Sequence, residues 1–95
     1  MAWEVVDTYE VPHEPSEAVA EGFLVRNTET GETVRVEVWE YQSWDDETGE
    51  LYHVLEVIWD GVVDFSTSFD PDDPADVERA KRELFERYPE LKGWW

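Results

Sequence analysis

Apolar and polar residues alternate through most of the first seventy positions, in five short runs rich in Val, Thr, Trp and Tyr that are separated by turns containing Gly or Pro. Period-two alternation is the mark of antiparallel strands, here predicted at residues 2–11, 19–27, 33–44, 51–59 and 62–69. Pro12-His13-Glu14-Pro15-Ser16 interrupts pairing with two prolines and predicts a loop, followed by a short helical turn at Ser16 to Ala20. Asp60-Gly61 between apolar runs predicts a two-residue type I′ hairpin, because both central positions of that turn need positive φ. After Phe69 the period changes: Val77, Ala80, Leu84, Tyr88 and Leu91 recur at spacings of three and four and form one helical stripe. Asp73 is the expected N-cap, Pro74 the first helical residue and Asp76 an anion in the first turn. Glu78 with Arg82, and Glu83 with Arg87, are spaced for ion pairs on the solvent side, and Pro89 ends the helix at Tyr88. The expected fold is α+β: a five-stranded antiparallel β-meander, curled or partly closed as a barrel, with one C-terminal α-helix packed on it, as a single domain over 1–95.

The turns also predict a register. Asp60-Gly61 sets Trp59 against Val62 and Tyr52 against Phe69. A three-residue loop Glu47-Thr48-Gly49 sets Trp39 against Val57 and Tyr41 against Leu55, and a like loop Glu29-Thr30-Gly31 sets Leu24 against Val36. One face then carries Leu24, Val34, Val36, Val38, Tyr52, Val54, Ile58, Val63, Phe65 and Phe69. The other carries Phe23, Val25, Trp39, Tyr41, Leu55, Val57, Trp59 and Val62. Both faces are apolar, yet one helix covers only one of them, so the second needs a cover. That cover is either the chain itself, through curling, the first strand or Trp94 and Trp95, or a partner docking on Trp39, Tyr41, Leu55 and Trp59. Glu37 and Asp64 are the charged members of this expected partner-binding set.

Composition narrows the function. With 95 residues and 11.2 kDa there is room for one core, which excludes separate catalytic and cofactor domains. Twenty-five Asp and Glu against seven Lys and Arg give a formal charge of −18, which argues against direct binding of nucleic acid or an anionic membrane. At 41% hydrophobic and 15% aromatic the chain can still bury a core. It has no cysteine, hence no thiolate nucleophile, disulfide or zinc-thiolate site. No run approaches 18 apolar residues, and Met1-Ala2-Trp3-Glu4 lacks the basic and apolar regions of a signal peptide, so a soluble, cytoplasmic protein without a membrane partner is expected.

The candidate chemistry is sparse, and no catalytic residue, metal site or cofactor is expected. The predicted register sets Glu40 opposite Glu56, a possible coupled carboxylate pair, since like charges facing each other raise one pKa when desolvated. It also brings His53 beside Ser43 and Ser68 with Asp64 on the same face, but Asp64 lies about 13 Å from Ser68 at the usual strand rise, too far for a triad. A polar cluster is expected there. His13, between two prolines, has no visible ligand partners. Asp70, Asp72, Asp73 and Asp76 offer oxygen ligands but lack the glycine and the distal glutamate of an EF-hand loop, and capping accounts for them. Glu-Thr-Gly-Glu occurs twice, at 29–32 and 47–50. Within Asp45-Asp46-Glu47-Thr48-Gly49-Glu50-Leu51 it resembles the acidic hairpin motif by which certain transcription factors engage Kelch-propeller ubiquitin-ligase adaptors. The resemblance covers six residues and implies a turn at a hairpin tip that a propeller could accept.

Three accounts of the charge remain. Two lysines, one isoleucine and thirteen valines resemble the usage of halophilic proteins, in which molar salt screens self-repulsion. Ordered carboxylates can instead imitate a phosphate backbone, as phage-encoded inhibitors of restriction or CRISPR systems do, binding a basic protein with salt-sensitive kinetics. A designed chain would also show such a well-capped helix, though scarce lysine weighs against it. The expected function is a non-enzymatic acidic protein-interaction module, an inhibitor or adaptor that binds a basic protein. The alternative is a halophilic or phage structural module that forms a homodimer or larger oligomer through its aromatic face.

Overall fold

The computed structural model describes residues 2–12 and 18–95. His13, and Ser16 and Glu17 of the expected turn at Ser16 to Ala20, lie outside the described residues, and Val19 and Ala20 already belong to a strand. Five strands, β1 (Trp3–Tyr9), β2 (Val19–Asn27), β3 (Thr33–Trp44), β4 (Leu51–Trp59) and β5 (Val62–Phe69), precede helix α1 (Pro74–Arg87) and a single 3-10 turn (Pro89–Leu91). The strands pair in sequence order, each antiparallel to the next, with β1 and β5 as edges of an open sheet. This is the expected meander with its helix; the barrel closure is not formed.

The turns explain both the agreement and the departures. At the β4–β5 turn Asp60 and Gly61 have φ of 51° and 82°, so Trp59 faces Val62 as the type I′ turn requires. The two Glu-Thr-Gly-Glu loops are one residue longer than expected. The Asp45 N–H donates to the Glu50 carbonyl (2.9 Å) and the Gly49 N–H to the Asp45 carbonyl (2.7 Å), which closes four residues, 46–49, into the loop. Asp45 Oδ1 accepts from the Glu47 N–H (2.8 Å), and Thr48 Oγ1 accepts from the Glu50 N–H (3.2 Å). Asn27 and Thr30 repeat every one of these bonds in the other loop, where Asn27 Oδ1 accepts from Glu29 and Thr30 Oγ1 from Glu32. An Asx side chain that satisfies the backbone two residues on is the device that builds the turn. The extra residue shifts β2 and β4 by one position against β3: Phe23, not Leu24, faces Val36, and Val54, not Leu55, faces Tyr41.

A one-residue slip moves alternate side chains to the opposite face. Val34, Val36 and Val38 on β3 therefore share a face with Phe23 and Val25 on β2 and with Leu55, Val57 and Trp59 on β4. An irregularity after Val63 leaves Asp64 as an extra residue and sets Phe65, Thr67 and Phe69 on that same face, opposite Val57, Leu55 and His53. Against it lie Ala80, Leu84, Tyr88 and Leu91, all from the expected helical stripe, and these residues form one buried cluster. Trp3, Val5 and Trp95 pack at its margin, whereas Trp94 is half exposed. At about 1.5–3 kcal/mol for each large side chain fully withdrawn from water, this cluster is the main source of stability.

Helix α1 starts as predicted, with Asp73 Oδ1 accepting from the Ala75 N–H (3.1 Å) and Pro74 in the first turn. The ion pairs differ. Arg79 is the hub: its Nε donates to Asp76 (2.8 Å), Nη1 to Glu83 (2.7 Å) and Nη2 to the Ser68 carbonyl (2.7 Å), tying the helix to β5. Arg87 instead reaches across to Asp64 (3.2 Å). Among the described residues neither Glu78 with Arg82 nor Glu83 with Arg87 forms an ion pair, because anchoring the helix to β5 engages Glu83 and Arg87 elsewhere.

Candidate binding surface

The face turned away from the helix is mixed rather than uniformly apolar. It carries Leu24, Trp39, Tyr41, Tyr52, Val54 and Ile58, interleaved with Arg26, Arg35, Glu37 and Glu56. Carboxylates hold the aromatic rings in place: the Trp39 Nε1–H donates to Glu37 (2.9 Å) and the Tyr41 hydroxyl to Glu56 (3.4 Å). Partial burial, and then the neighbouring Glu56, push the Tyr41 phenol above its ordinary pKa. At the β1 side Tyr9 lies across from Gly22 with its ring over the glycine, where a Cβ would come within 2.3 Å of it, and Arg35 sits 5.6 Å from the ring centre. The glycine makes room for the ring, and the ring covers backbone that the glycine leaves bare.

The expected docking set is therefore divided. Trp39, Tyr41 and Glu37 lie on the open face, but Leu55 is 1% exposed in the core, Trp59 packs against that core, and Asp64 faces the helix, bonded to Tyr88 and Arg87. The shared surface predicted for Trp39, Tyr41, Leu55 and Trp59 does not exist, and the cause is the four-residue loop. The same slip dissolves the carboxylate pair. Glu40 faces Leu55 on the helix side and Glu56 faces Trp39 on the open side, so the sheet separates them. Nor does the polar cluster around His53 form. His53 lies between Gln42 and Phe69 on the helix side, its ring edge-on to Phe69 and its Nδ1 3.7 Å from Glu40, while Ser43 and Ser68 face Tyr52 and Val54 on the other side. The aspartates at 70–76 are engaged locally: Asp70 Oδ1 accepts from the Asp72 N–H (2.9 Å) and Asp76 Oδ2 from the Asp70 N–H (2.7 Å). The Arg79 guanidinium, together with that backbone bond, holds the Asp76 carboxyl below its usual range. Among the described residues no three His, Cys, Asp or Glu side chains converge as metal ligands.

The charge has a geography that its total conceals. Residues 74–95 hold five acidic and five basic side chains, so the whole net charge of −18 resides in residues 1–73, where Arg26 and Arg35 are the only Lys or Arg. In a meander the β3–β4 and β5–α1 loops come to the same end of the sheet. There Asp45, Asp46, Glu47, Glu50, Asp70, Asp72 and Asp73 are all exposed, with no cationic side chain in either loop. The β3–β4 hairpin also projects. Among the described residues pairing of β2 with β3 begins at Val19 with Glu40, and pairing of β4 with β5 ends at His53 with Phe69, so residues 43–44 and 51–52 run beyond both neighbouring strands for roughly 7 Å at the strand rise. Near its tip Trp44 and Leu51 face each other, 62% and 61% exposed. At its base on the open face lies a shallow depression of about 580 Å³ whose walls include Tyr41, Asp45, Tyr52 and Ser68.

No protein-family model, curated protein or solved structure matches this chain. Among the described residues no helix is long and apolar enough to cross a membrane. Sequence reasoning missed the hairpin end. Two signals were present: the charge split at residue 74, and the Asx five residues before each closing glutamate, which fixes loop length and hence register.

Proposed function

We propose that this protein is a non-enzymatic binding module that engages a basic protein surface through the projecting β3–β4 hairpin and the adjoining open face. The observation that carries this reading is the exposed apolar pair Trp44 and Leu51 set among Asp45, Asp46, Glu47 and Glu50. Aromatic side chains desolvate well and anchor interfaces, while a rim of uncompensated carboxylates steers a cationic partner and rejects an anionic one. By register Trp44 and Leu51 lie on the helix-side face, so Trp39, Tyr41 and Glu37 offer a second patch on the opposite face at the base of the same hairpin. A partner that normally holds DNA or RNA presents the matching charge, which keeps an inhibitory, phosphate-imitating role within this reading.

The test is titration with an arginine-rich polypeptide, using two triple variants that remove equal charge. Asp45→Asn/Asp46→Asn/Glu47→Gln should weaken binding at least tenfold, and Trp44→Ala should weaken it further. Removing three charges at the opposite end, Glu4→Gln/Glu29→Gln/Glu32→Gln, should weaken it no more than about twofold. Equal losses in both triple variants would mean diffuse polyelectrolyte attraction and would overturn the reading. A second reading, self-association, is favoured by one observation: Arg35 stands beside Glu37 on the open face, with Glu56 opposite Trp39 on the next strand, so two copies can offer each other complementary charge. Sedimentation separates the two, since a monomer at low and molar salt fits the hairpin reading and a dimer that strengthens with salt fits the other.

A further inference from the structure

At the opposite end of the molecule from the hairpin, the start of β1, the end of β4 and the 3-10 turn enclose a groove of about 520 Å³. Its walls are aromatic. Trp59 and Tyr88 lie nearly parallel, 19° between planes and 5.9 Å between ring centres, and Trp3 stands at 84° to Trp59 with centres 5.1 Å apart. Two walls at right angles make a corner.

Besides the indole N–H groups, this corner carries Asp64, Arg87, Glu90 and the Tyr88 phenol, of which the first two and the phenol bond to one another. Tyr88 donates its hydroxyl to Asp64, and Arg87 donates to the Tyr88 oxygen and also pairs with Asp64. That cluster is satisfied and nearly neutral as a group. Glu90, on the 3-10 turn, lines the groove and has no cationic partner among the described residues. Partial burial raises its pKa, the behaviour of a carboxylate that has lost water without gaining a counter-ion. Pro89 closes the floor without offering an N–H.

We propose that this groove binds a methylated ammonium cation, with Trp3 and Trp59 against its methyl groups, the buried Tyr88 backing Trp59 and Glu90 supplying the counter-charge. Aromatic faces attract cations through the ring quadrupole, and the attraction is largest for cations that are cheap to dehydrate. A primary ammonium must surrender strong hydrogen bonds to water on entering, and this corner has a single uncommitted acceptor to replace them. A trimethylammonium has no N–H to satisfy and covers aromatic surface with its methyls. The net charge of the whole chain works in the same direction. The site is remote from the hairpin and does not depend on the reading given above.

The probes are choline, its neutral carbon isostere 3,3-dimethylbutanol, and two short peptides that differ only in a trimethylated or unmodified lysine. Binding is followed by tryptophan fluorescence and by chemical-shift changes at the three indole or phenol rings. Choline should shift the Trp3 and Trp59 signals in a saturable way, with the neutral isostere about tenfold weaker. Glu90→Gln should weaken choline by about fivefold while leaving the isostere unchanged, a split that a merely structural role for Glu90 would not produce. Trp3→Leu keeps apolar bulk and removes the π-face; it should abolish the preference for choline, with folding checked by its unfolding midpoint. A trimethyllysine peptide that binds at least tenfold more tightly than both choline and its unmodified counterpart assigns the cation to a modified protein. Comparable affinities for choline and the trimethyllysine peptide assign it to a small molecule. No saturable shift with choline or the trimethyllysine peptide, or equal binding of choline and its isostere, would overturn the proposal.

Discussion

The two faces of one sheet solve the problem of apolar surface differently. On the helix side Phe23, Val25, Val36, Val38 and Val57 are fully buried, and residues of α1 and the 3-10 turn fill the space above them. On the open side Trp39, Tyr41 and Tyr52 are half buried, and Glu37 and Glu56 bond to the polar edges of Trp39 and Tyr41. The first face is a core, stabilised by withdrawal from water. The second is an amphipathic surface on which Trp39 and Tyr41 are each bonded to a carboxylate. The contrast teaches that a strand rich in aromatic residues need not imply a missing cover, because large rings and charged side chains can share a solvated face.

The largest effect expected is on stability. Leu55→Ala should lower the unfolding free energy by about 2–4 kcal/mol, since it opens a cavity beneath α1. Tyr41→Ala, on the neighbouring strand but the other face, should cost less than about 1 kcal/mol. Urea titration of both checks the assignment, and a reversed order would mean that the register is wrong.

A smaller contrast concerns the two loops. Asn27 and Asp45 build the same turn with the same bonds, but Asn27 is buried beside β1, where the Thr28 N–H reaches the Ala2 carbonyl (3.0 Å), whereas Asp45 stands in water. Asn27→Ala should cost about 1–3 kcal/mol because it removes a buried side chain that accepts from the Glu29 and Thr30 N–H groups, and Asp45→Ala less than about 1 kcal/mol. Thermal unfolding of the two variants measures the difference.

The smallest effect is electrostatic, and its sign is the informative part. The folded-state pKa of Glu90 is raised by burial, so ionisation penalises the fold; the penalty is complete above the raised value and absent below the ordinary value near 4.5. Glu90→Gln should therefore stabilise by a few tenths of a kcal/mol at pH 7, discounted for its exposure, and by nothing at pH 4. Asp64 behaves oppositely. Its pKa is lowered, first by the Tyr88 hydroxyl, so its contribution is present above the ordinary value of 3.8 and is lost as pH falls through the lowered one. Paired denaturant titrations of Asp64→Asn and Glu90→Gln from pH 7 to pH 3 should show the two variants responding to pH in opposite directions.

Much of the fold was legible in the chain and the site was not, for one reason. Element positions follow from local period: four of the five strands have the expected bounds, and the helix ends within one residue of Tyr88. Faces follow from register, which depends on loop length to the single residue. Reading Glu47-Thr48-Gly49 as the loop and leaving out Asp46 was enough to set Leu55 beside Tyr41 and pair Glu40 with Glu56, and leaving Thr28 out of the other loop exchanged Leu24 with Phe23. Asp60-Gly61 caused no such error at its own turn, because a type I′ turn has a fixed length. The bulge at Asp64 carries no pattern of its own in sequence, yet it decides that Asp64 meets Tyr88 and Arg87.

The open face is the claim on which the contrast between the two sides of the sheet rests, and the chain offers a direct way to examine it, since it contains no cysteine. Single variants Tyr41→Cys and Leu55→Cys can be labelled with a thiol reagent under native conditions. The account predicts that position 41 reacts at nearly the rate of an unfolded control, while position 55 is slowed by at least about a thousandfold because it waits for global opening. Protection at position 41 equal to that at position 55 would contradict the account, for it would mean that something, a second copy or the chain itself, already covers the face.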